Sequence, residues 1–308
     1  MVSLLLFPGQ GAQKVGMGKD LAAAFPAARD TFAAIDDALG TALSRVMWEG
    51  PEHELQETRN AQPAILAHSA AVHAVVRGSL GEVAGAAGHS LGEYSAYVAA
   101  GSLDAVSAAR LVRTRGELMH AAGTARPGAM AAVLGLGGEV VERCCRDASG
   151  DGRVAVPANL NAPDQTVISG DPAAVAAAGE ACKAAGAKRV LPLKVSGAFH
   201  SPLMAPAGDG LRAALAEASL AAPTFPVVAN ATAEPVVSSA EAVRLLGDQL
   251  TAPVRWVESV RALALLAPGA RFFELGPGTV LSGLLKRILP SAESLALGSA
   301  TDLEKFLA

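Results

Sequence analysis

The sequence predicts an α/β protein built on a mainly parallel sheet. Short apolar segments typical of buried strands alternate with longer segments of helical periodicity. Hydrophobic residues make up 51% of the 308 residues, aromatics only 4%, and alanine dominates the apolar fraction. This composition favours helices that pack closely against a sheet, and the length allows one large domain or two ordinary ones.

The first strand is predicted over residues 3–7, and a glycine-rich loop follows it. Because the N-terminus has no basic segment before its apolar residues, we interpret it as a strand and not as a signal peptide. The loop contains Gly9-Gln10-Gly11, but the third glycine of a dinucleotide fingerprint would fall at Lys14. No Lys-Ser/Thr pair completes a phosphate-binding loop either, so nucleotide binding is not predicted here.

A second strand over residues 83–87 leads into Gly88-His-Ser-Leu-Gly92, and a helix is predicted over residues 91–100. The G-x-S-x-G pattern in a strand-turn-helix context is typical of the nucleophile turn of α/β-hydrolase-like sheets. Ser90 is therefore a candidate nucleophile at a helix N-terminus, where partial positive charge favours an oxyanion. The alternative is a glycine-rich loop whose serine only caps a helix.

Residues 127–196 change in character and predict a second, smaller domain. Their element order, β-α-β-β-α-β, is that of a ferredoxin-like unit, which can be inserted into a larger fold. The large domain then consists of residues 1–126 and 197–308. Helices are predicted in it over residues 26–39, 64–77, 104–120 and 279–289, and further strands over residues 226–230 and 271–275.

A serine nucleophile needs a base, and His200 is the candidate that topology favours. His200 follows a predicted strand, so it falls at the sheet edge where Ser90 also lies. His89 adjoins Ser90 in a turn that makes neighbouring side chains diverge, and His120 is predicted at the end of a helix. The order Ser90, Asp171, His200 also allows a serine hydrolase, although Asp171-Pro172 is typical of a helix cap.

Composition argues against several other classes. A net charge of −4 does not favour nucleic acid as the main ligand. Three cysteines without C-x-x-C spacing predict neither a disulfide framework nor a zinc site, and they suit a reducing cytoplasm. No apolar run has the length of a membrane span.

Six short motifs, spread over essentially the whole length of the chain, together resemble those of one known family. They are Phe7-Pro-Gly-Gln-Gly-Ala-Gln13, Gly88-His-Ser-Leu-Gly-Glu93, Arg113-Thr-Arg-Gly116, Gly197-Ala-Phe-His-Ser201, Gln249 with Pro253-Val-Arg-Trp256, and Glu274-Leu-Gly-Pro-Gly278. Together they closely resemble the malonyl-CoA:acyl carrier protein transacylase family. That family also has a large α/β domain with a ferredoxin-like insertion.

The resemblance implies catalytic roles for residues of these motifs. Ser90 matches the nucleophile, and His200 matches the general base and acid. The resemblance also implies that the backbone carbonyl of Gln249 orients His200, and that the backbone N–H groups of Gln10 and Leu91 form the oxyanion hole.

Two further positions bear on the substrate. Arg115 matches the arginine that binds the malonyl carboxylate, and a hydrolase would leave this arginine without a role. Phe199 resembles the residue before the histidine in malonyl-selective domains. The signature is partial, because Gly197 stands where a histidine is usual.

The function that the resemblance implies is transfer of malonyl from malonyl-CoA to the phosphopantetheine thiol of an acyl carrier protein through acyl-Ser90. Coenzyme A thioester is a substrate, and no metal or redox cofactor is expected. We expect a cytoplasmic monomer that serves fatty acid or polyketide synthesis and has no nucleic acid or membrane partner. An α/β-hydrolase-type esterase or thioesterase is the alternative, and a non-catalytic scaffold is a third possibility that intact Ser90, His200 and Arg115 disfavour.

Overall fold

A computed structural model describes residues 2–195 and 197–308, and it divides their strands between two sheets. Met1 and Ser196 lie outside the described residues. They are the first residue of the predicted large domain and the last residue of the predicted small domain. The strands are β1 Val2–Phe7, β2 Glu82–Gly88, β3 Ala129–Leu134, β4 Ala155–Ala162, β5 Gln165–Gly170, β6 Arg189–Pro192, β7 Val227–Val228, β8 Pro235–Val236, β9 Arg271–Leu275 and β10 Ser294–Leu297.

The helices cover most of the remaining chain. They are α1 Lys19–Ala24, α2 Pro26–Leu39, α3 Leu43–Glu49, α4 Glu52–Gln56, α5 Thr58–Val76, α6 Gly92–Ala99, α7 Ala105–Ala125, α8 Gly138–Asp147, α9 Pro172–Ala184, α10 Ala205–Glu217, α11 Ser239–Asp248, α12 Trp256–Leu266, α13 Val280–Ile288 and α14 Ala300–Leu307. No helix in the described ranges is both long enough and apolar enough to cross a bilayer.

The larger sheet has six strands in the order β10-β9-β1-β2-β7-β8. Strands β10, β9, β1, β2 and β7 pair in parallel, and β8 adds an antiparallel edge. The central strand β1 is covered on both faces, because Leu4, Leu5 and Leu6 are all fully buried. The fold is therefore α/β with mixed sheets, as the alternation of segments predicts at this coarser level.

The smaller sheet is antiparallel and has four strands in the order β4-β5-β3-β6. Its elements follow the predicted chain order, with α8 and α9 between the strands. The core between this sheet and its helices is formed mainly by alanine, valine, isoleucine, leucine and cysteine side chains. We call residues 127–195 the four-stranded unit.

Several predicted boundaries are wrong. Helix α5 begins at Thr58, before the predicted start at residue 64. Buried residues before Pro63 belong to the same helix, so the proline lies inside the helix and does not mark its start. Helix α7 continues to Ala125, so His120 does not end it. The strand predicted over residues 189–195 stops at Pro192, since the Val195 N–H turns back to the Leu193 carbonyl. The strand predicted over residues 226–230 is reduced to β7, and the sequence patterns do not predict β8 and β10.

Candidate active site

Ser90 lies in a sharp turn between β2 and α6, at the carboxyl edge of the six-stranded sheet. Its φ of 50° is in the left-handed region, which L-residues rarely adopt. The flanking glycines make this turn possible: a Cβ on Gly88 would lie 1.9 Å from the Gly92 backbone, and one on Gly92 would lie 2.1 Å from the Phe7 oxygen. The strand, the turn and the next helix thus meet at van der Waals limits, and the serine hydroxyl lines a cleft.

His200 contacts this hydroxyl directly. Ser90 Oγ lies 2.7 Å from His200 Nε2, although 110 residues separate them. On the other side of the ring, Nδ1 lies 3.0 Å from the Gln249 carbonyl oxygen and 3.2 Å from that of Ala252. Carbonyl oxygens only accept, so Nδ1 carries the proton and donates it to them. Nε2 is consequently the free lone pair, and the Ser90 hydroxyl donates to it.

The environment keeps the His200 ring neutral. Burial lowers the pKa of His200 to about 3, and the nearby positive charge of Arg115 acts in the same direction. The carbonyl acceptors oppose this change but do not reverse it. At neutral pH the ring is therefore unprotonated at Nε2 and can accept a proton from Ser90.

Arg115 places a buried guanidinium beside the serine. Only 1% of the residue is exposed, and Nη2 donates to Ser90 Oγ over 3.2 Å. Its other hydrogen bonds go to amide oxygens, from Nη1 to Gln62 Oε1 at 2.7 Å and from Nη2 to Gln249 Oε1 at 2.9 Å, and its Cζ lies 5.5 Å from the centroid of the Tyr94 ring. None of the ion pairs among the described residues includes Arg115. A buried cation held only by neutral acceptors is suited to receive an anion.

Three other predicted residues line the same cleft: Gln10, Leu91 and Phe199. The backbone N–H groups of Gln10 and Leu91 donate no hydrogen bond within the described part of the chain, and Leu91 stands at the N-terminus of α6. Free donors at that position are what a developing oxyanion requires. Phe199 is 6% exposed and forms part of the apolar lining.

Asp171 takes no part in this site, which removes the Ser-Asp-His arrangement. Its carboxylate accepts from Arg126 Nη2 and from the Val154 N–H, both at 2.8 Å. It occupies the position before α9, with Pro172 at the first helical residue as predicted, but its side chain does not cap the helix. The Nδ1 atom of His200, which a triad aspartate would contact, faces carbonyl oxygens instead.

The other candidate histidines are also engaged elsewhere. His89 Nε2 lies 2.8 Å from Asn161 Oδ1, and the ring packs against Trp256 at 5.4 Å between centroids. His120 lies within α7, and it does not line the cleft. Cys144, Cys145 and Cys182 are free and buried in the four-stranded unit.

Sequence reasoning missed three buried polar residues of the site: Gln62, Glu93 and Asn230. Gln62 holds Arg115, while Asn230 Oδ1 accepts from the Ser90 N–H at 2.7 Å and its Nδ2 donates to the Gly88 oxygen at 2.7 Å. Glu93 follows the G-x-S-x-G pattern directly, and Asn230 ends a predicted strand, so position alone could have drawn attention to both. Their partners are not predictable, because Asn230 and Ser90 are 140 residues apart.

Comparisons with known proteins agree on one family. A model described as an acyl transferase domain matches residues 4–297. The malonyl CoA-acyl carrier protein transacylase of Escherichia coli K12 is 46% identical over 295 residues, which cover 95% of this chain and 94% of that protein. The crystal structure of an acyl carrier protein S-malonyltransferase from Vibrio cholerae superposes with a TM-score of 0.94 at 42% identity, covering 98% of this chain and 99% of that one.

A third relative was solved with its partner. It is a malonyl-transacylase in complex with its type II PKS acyl-carrier protein, and it has a TM-score of 0.94, 43% identity and coverage of 100% of this chain and 99% of that one. The family model covers nearly all of the chain, and the relatives exceed two-fifths identity over nearly all of it. The chain therefore belongs to the acyl transferase family.

Proposed function

We propose that this acyltransferase moves a malonyl group from malonyl-CoA to the phosphopantetheine thiol of an acyl carrier protein, through an ester on Ser90. The observation that carries the proposal is the guanidinium of Arg115, which is buried, unpaired with any carboxylate of the described chain, and 3.2 Å from Ser90 Oγ. It provides the charge that the free carboxylate of a malonyl group needs. The names of the relatives support the same substrate and the same acceptor.

In the first half-reaction the thioester carbonyl lies against Ser90 while Arg115 holds the malonyl carboxylate. Ser90 Oγ attacks the carbonyl carbon as His200 Nε2 takes the hydroxyl proton. The backbone N–H groups of Gln10 and Leu91 stabilise the resulting oxyanion, and losing one such donor typically costs about 2.7–4 kcal/mol. The carbon–sulfur bond then breaks, His200 returns the proton to the sulfur, and coenzyme A leaves.

The second half-reaction reverses these roles. The phosphopantetheine thiol gives its proton to His200 Nε2 and attacks the acyl-Ser90 carbonyl through the same oxyanion site. The ester bond breaks and His200 returns the proton to Ser90 Oγ. One thioester is exchanged for another, so the main requirement on the cleft is to exclude water until the thiol attacks the acyl-Ser90 ester.

The proposal includes the finer features that the resemblance implies. Residues 1–126 and 197–308 would form an α/β-hydrolase-like catalytic domain, and residues 127–196 a ferredoxin-like insertion; the element order and the strand order of the smaller sheet support this division. Phe199 would narrow the cleft in favour of malonyl. The two half-reactions require no metal or redox cofactor. A cytoplasmic location is supported by the cysteine pattern, and a monomeric state stays a prediction.

The test follows the acyl group by intact mass. After mixing with malonyl-CoA, the chain should gain the mass of one malonyl group, and a phosphopantetheinylated carrier protein added next should remove it and gain the same mass. The Ser90→Ala chain should neither gain mass nor charge the carrier. Release of free malonate in place of malonyl-carrier would contradict the transfer and indicate a hydrolase.

A further inference from the structure

Beneath the nucleophile turn lies a carboxyl group that takes no part in either half-reaction. Glu93 is on the first turn of α6 and is fully buried, as are Asn230 and Gln249 beside it. We call these three residues the buried polar cluster. Burying a carboxyl group costs free energy, and burial raises the pKa of Glu93 to about 7 even though both neighbours donate to it.

The contacts of Glu93 join the two neighbours through one oxygen atom. Glu93 Oε2 accepts from Gln249 Nε2 at 2.7 Å and from the Asn230 N–H at 3.0 Å. Oε1 is buried without a hydrogen-bond partner among the described residues. A buried carboxyl group with one oxygen left unbonded is unfavourable for the stability of the fold. An uncharged side chain could bridge Asn230 and Gln249 if the bridge were purely structural.

Both neighbours hold the reacting groups. Asn230 binds the turn on two sides, through the Ser90 N–H and the Gly88 oxygen. Gln249 Nε2 donates to the Ser90 carbonyl at 3.0 Å, and its own main-chain oxygen accepts from His200 Nδ1. The backbone on both sides of Ser90 and the ring of His200 therefore depend on two residues that Glu93 connects.

Backbone strain explains why such a connection is needed. Ser90 has a φ of 50° and His200 a φ of 56°, so both residues of the 2.7 Å contact are in the left-handed region. Strained conformations of this kind persist only where the surroundings hold them. Hydrogen bonds to a carboxylate are about twice as strong as bonds between neutral groups, and a carboxylate can only accept. Glu93 therefore also fixes which end of the Gln249 amide faces Arg115, since Nε2 must point to Glu93 and Oε1 to the guanidinium.

We propose that Glu93 is a positioning residue that holds Asn230 and Gln249, and through them fixes Ser90 and His200 in their reactive contact. The inference rests on the proposed function, because it concerns the rate at which Ser90 is acylated. Replacement by glutamine keeps the shape and one acceptor oxygen but removes the charge. Since the charge-assisted bonds become ordinary ones, we expect the acylation rate to fall about tenfold.

In the experiment each variant is mixed with acetyl-CoA at about pH 8.5, where a carboxyl group with a pKa of about 7 is charged, then quenched in acid, and the acyl-enzyme is followed by mass. Acetyl-CoA has no free carboxylate, so the result does not depend on pairing with Arg115. For Glu93→Gln we expect the first-order rate at saturating substrate to fall about tenfold, with the half-saturating concentration within about threefold and the final fraction acylated unchanged. A purely structural Glu93 would lower the final fraction and leave the rate of the folded chains unaltered.

Glu274→Gln is the matched control. Glu274 is also fully buried, but its two oxygens accept from the Leu281 and Ser282 N–H groups at the start of α13, and none of these three residues lines the cleft. We expect its acylation rate to stay within about twofold of the wild type. Equal slowing of Glu93→Gln and Glu274→Gln, or a wild-type rate in Glu93→Gln, would overturn the inference.

Glu93→Asp is a second variant that serves if the glutamine chain does not fold. It keeps the charge but is one methylene shorter, so its carboxylate is withdrawn from both donors, and we again expect slower acylation with an unchanged final fraction. A wild-type rate there would overturn the inference. If the wild-type chain formed no acyl-Ser90 from malonyl-CoA, that result would instead contradict the proposed function itself.

Discussion

The carboxyl edge of the six-stranded sheet and the four-stranded unit bury different kinds of side chain. At the sheet edge, Glu93, Arg115, Asn230, His200 and Gln249 are each at most 4% exposed and are connected by hydrogen bonds. The core of the four-stranded unit holds apolar side chains and cysteines, and the polar residues that the unit buries, Asn159, Thr166 and Ser169, carry no charge. Its acidic residues, such as Glu142 and Glu180, pair with cations at the surface.

The two regions also contribute differently to the cleft: the sheet edge supplies the reacting groups, and the four-stranded unit supplies side chains that enclose them. The four-stranded unit contributes mainly apolar side chains to the cleft, among them Met130, Leu193 and Val195. Apolar side chains exclude water from the cleft, and electrostatic interactions of the preorganised polar groups at the sheet edge are stronger where water is excluded. Substitutions at the sheet edge should therefore change rates, and comparable substitutions in the four-stranded unit should not.

Among the substitutions that leave Ser90 and His200 in place, removal of the Arg115 side chain should slow malonyl transfer the most. Hydrogen bonds to charged groups are worth about 1.5–3 kcal/mol, so losing a bidentate pair costs at least about 3 kcal/mol, on the order of 100-fold in rate. Arg115→Ala should slow acylation by malonyl-CoA by that factor and leave acylation by acetyl-CoA unharmed. Arg113→Ala is the control, because Arg113 lies on the same helix and donates to Asn60 instead. Equal losses with both thioesters would make Arg115 a structural residue.

Removal of the Gln249 side chain should have an intermediate effect. A role limited to its main-chain oxygen would make Gln249→Ala mild, but the side chain also bonds Arg115, Glu93 and the Ser90 carbonyl. Losing one bond to a charged group corresponds to about tenfold or more in the rate of malonyl transfer. The rate is measured by acylation kinetics, with the exposed Gln56→Ala as control, and a wild-type rate in Gln249→Ala would limit Gln249 to its carbonyl.

The pH dependence should distinguish the effect of Arg115 on the base from its effect on the substrate. The positive charge of Arg115 disfavours a protonated His200, so its removal should raise the lowered pKa of His200 towards its ordinary value. Activity needs the neutral ring and is lost as pH falls through that pKa, so Arg115→Ala should lose activity at a higher pH than the wild type. The measurement is kcat/KM for acetyl-CoA from about pH 4 to pH 8, where the wild type should stay near its plateau because its His200 pKa is about 3, and Arg115→Ala should decline at the acid end. Coincident profiles in the two proteins would show that the charge does not reach the ring.

The smallest effect is expected in the four-stranded unit. Asp171→Asn alters contacts to Arg126 and to the Val154 N–H, which lie outside the cleft. Malonyl transfer should stay within about twofold of the wild type. A loss on the order of 10⁴, as for a triad aspartate, would favour the hydrolase interpretation.

Local sequence signals account for the parts of the site that a single segment determines. Gly88, Ser90 and Gly92 are close in sequence and define their turn by sterics, and helix α2 begins at Pro26 and ends before Gly40 as predicted. The four-residue strand β10 and the two-residue strands β7 and β8 are too short for periodicity to reveal.

The support beneath Ser90 could not be predicted in the same way. Asn230 and Gln249 reach Ser90 and Glu93 over 137 to 159 residues of chain, and such contacts depend on how strands and helices are arranged in three dimensions. The extent of α5 depends similarly on burial, since Thr58, Ala61 and Gln62 are packed inside the protein before Pro63. Tertiary packing therefore overrides the local signal of the proline.

The central claim is that a covalent ester forms on Ser90, and its location can be measured directly. The wild-type chain is incubated with malonyl-CoA, quenched in acid, digested and mapped by mass spectrometry. We expect one malonyl group on the peptide that contains Ser90 and none on any peptide of the Ser90→Ala chain. A malonyl group on another residue, or malonyl transfer by Ser90→Ala at the wild-type rate, would contradict this account.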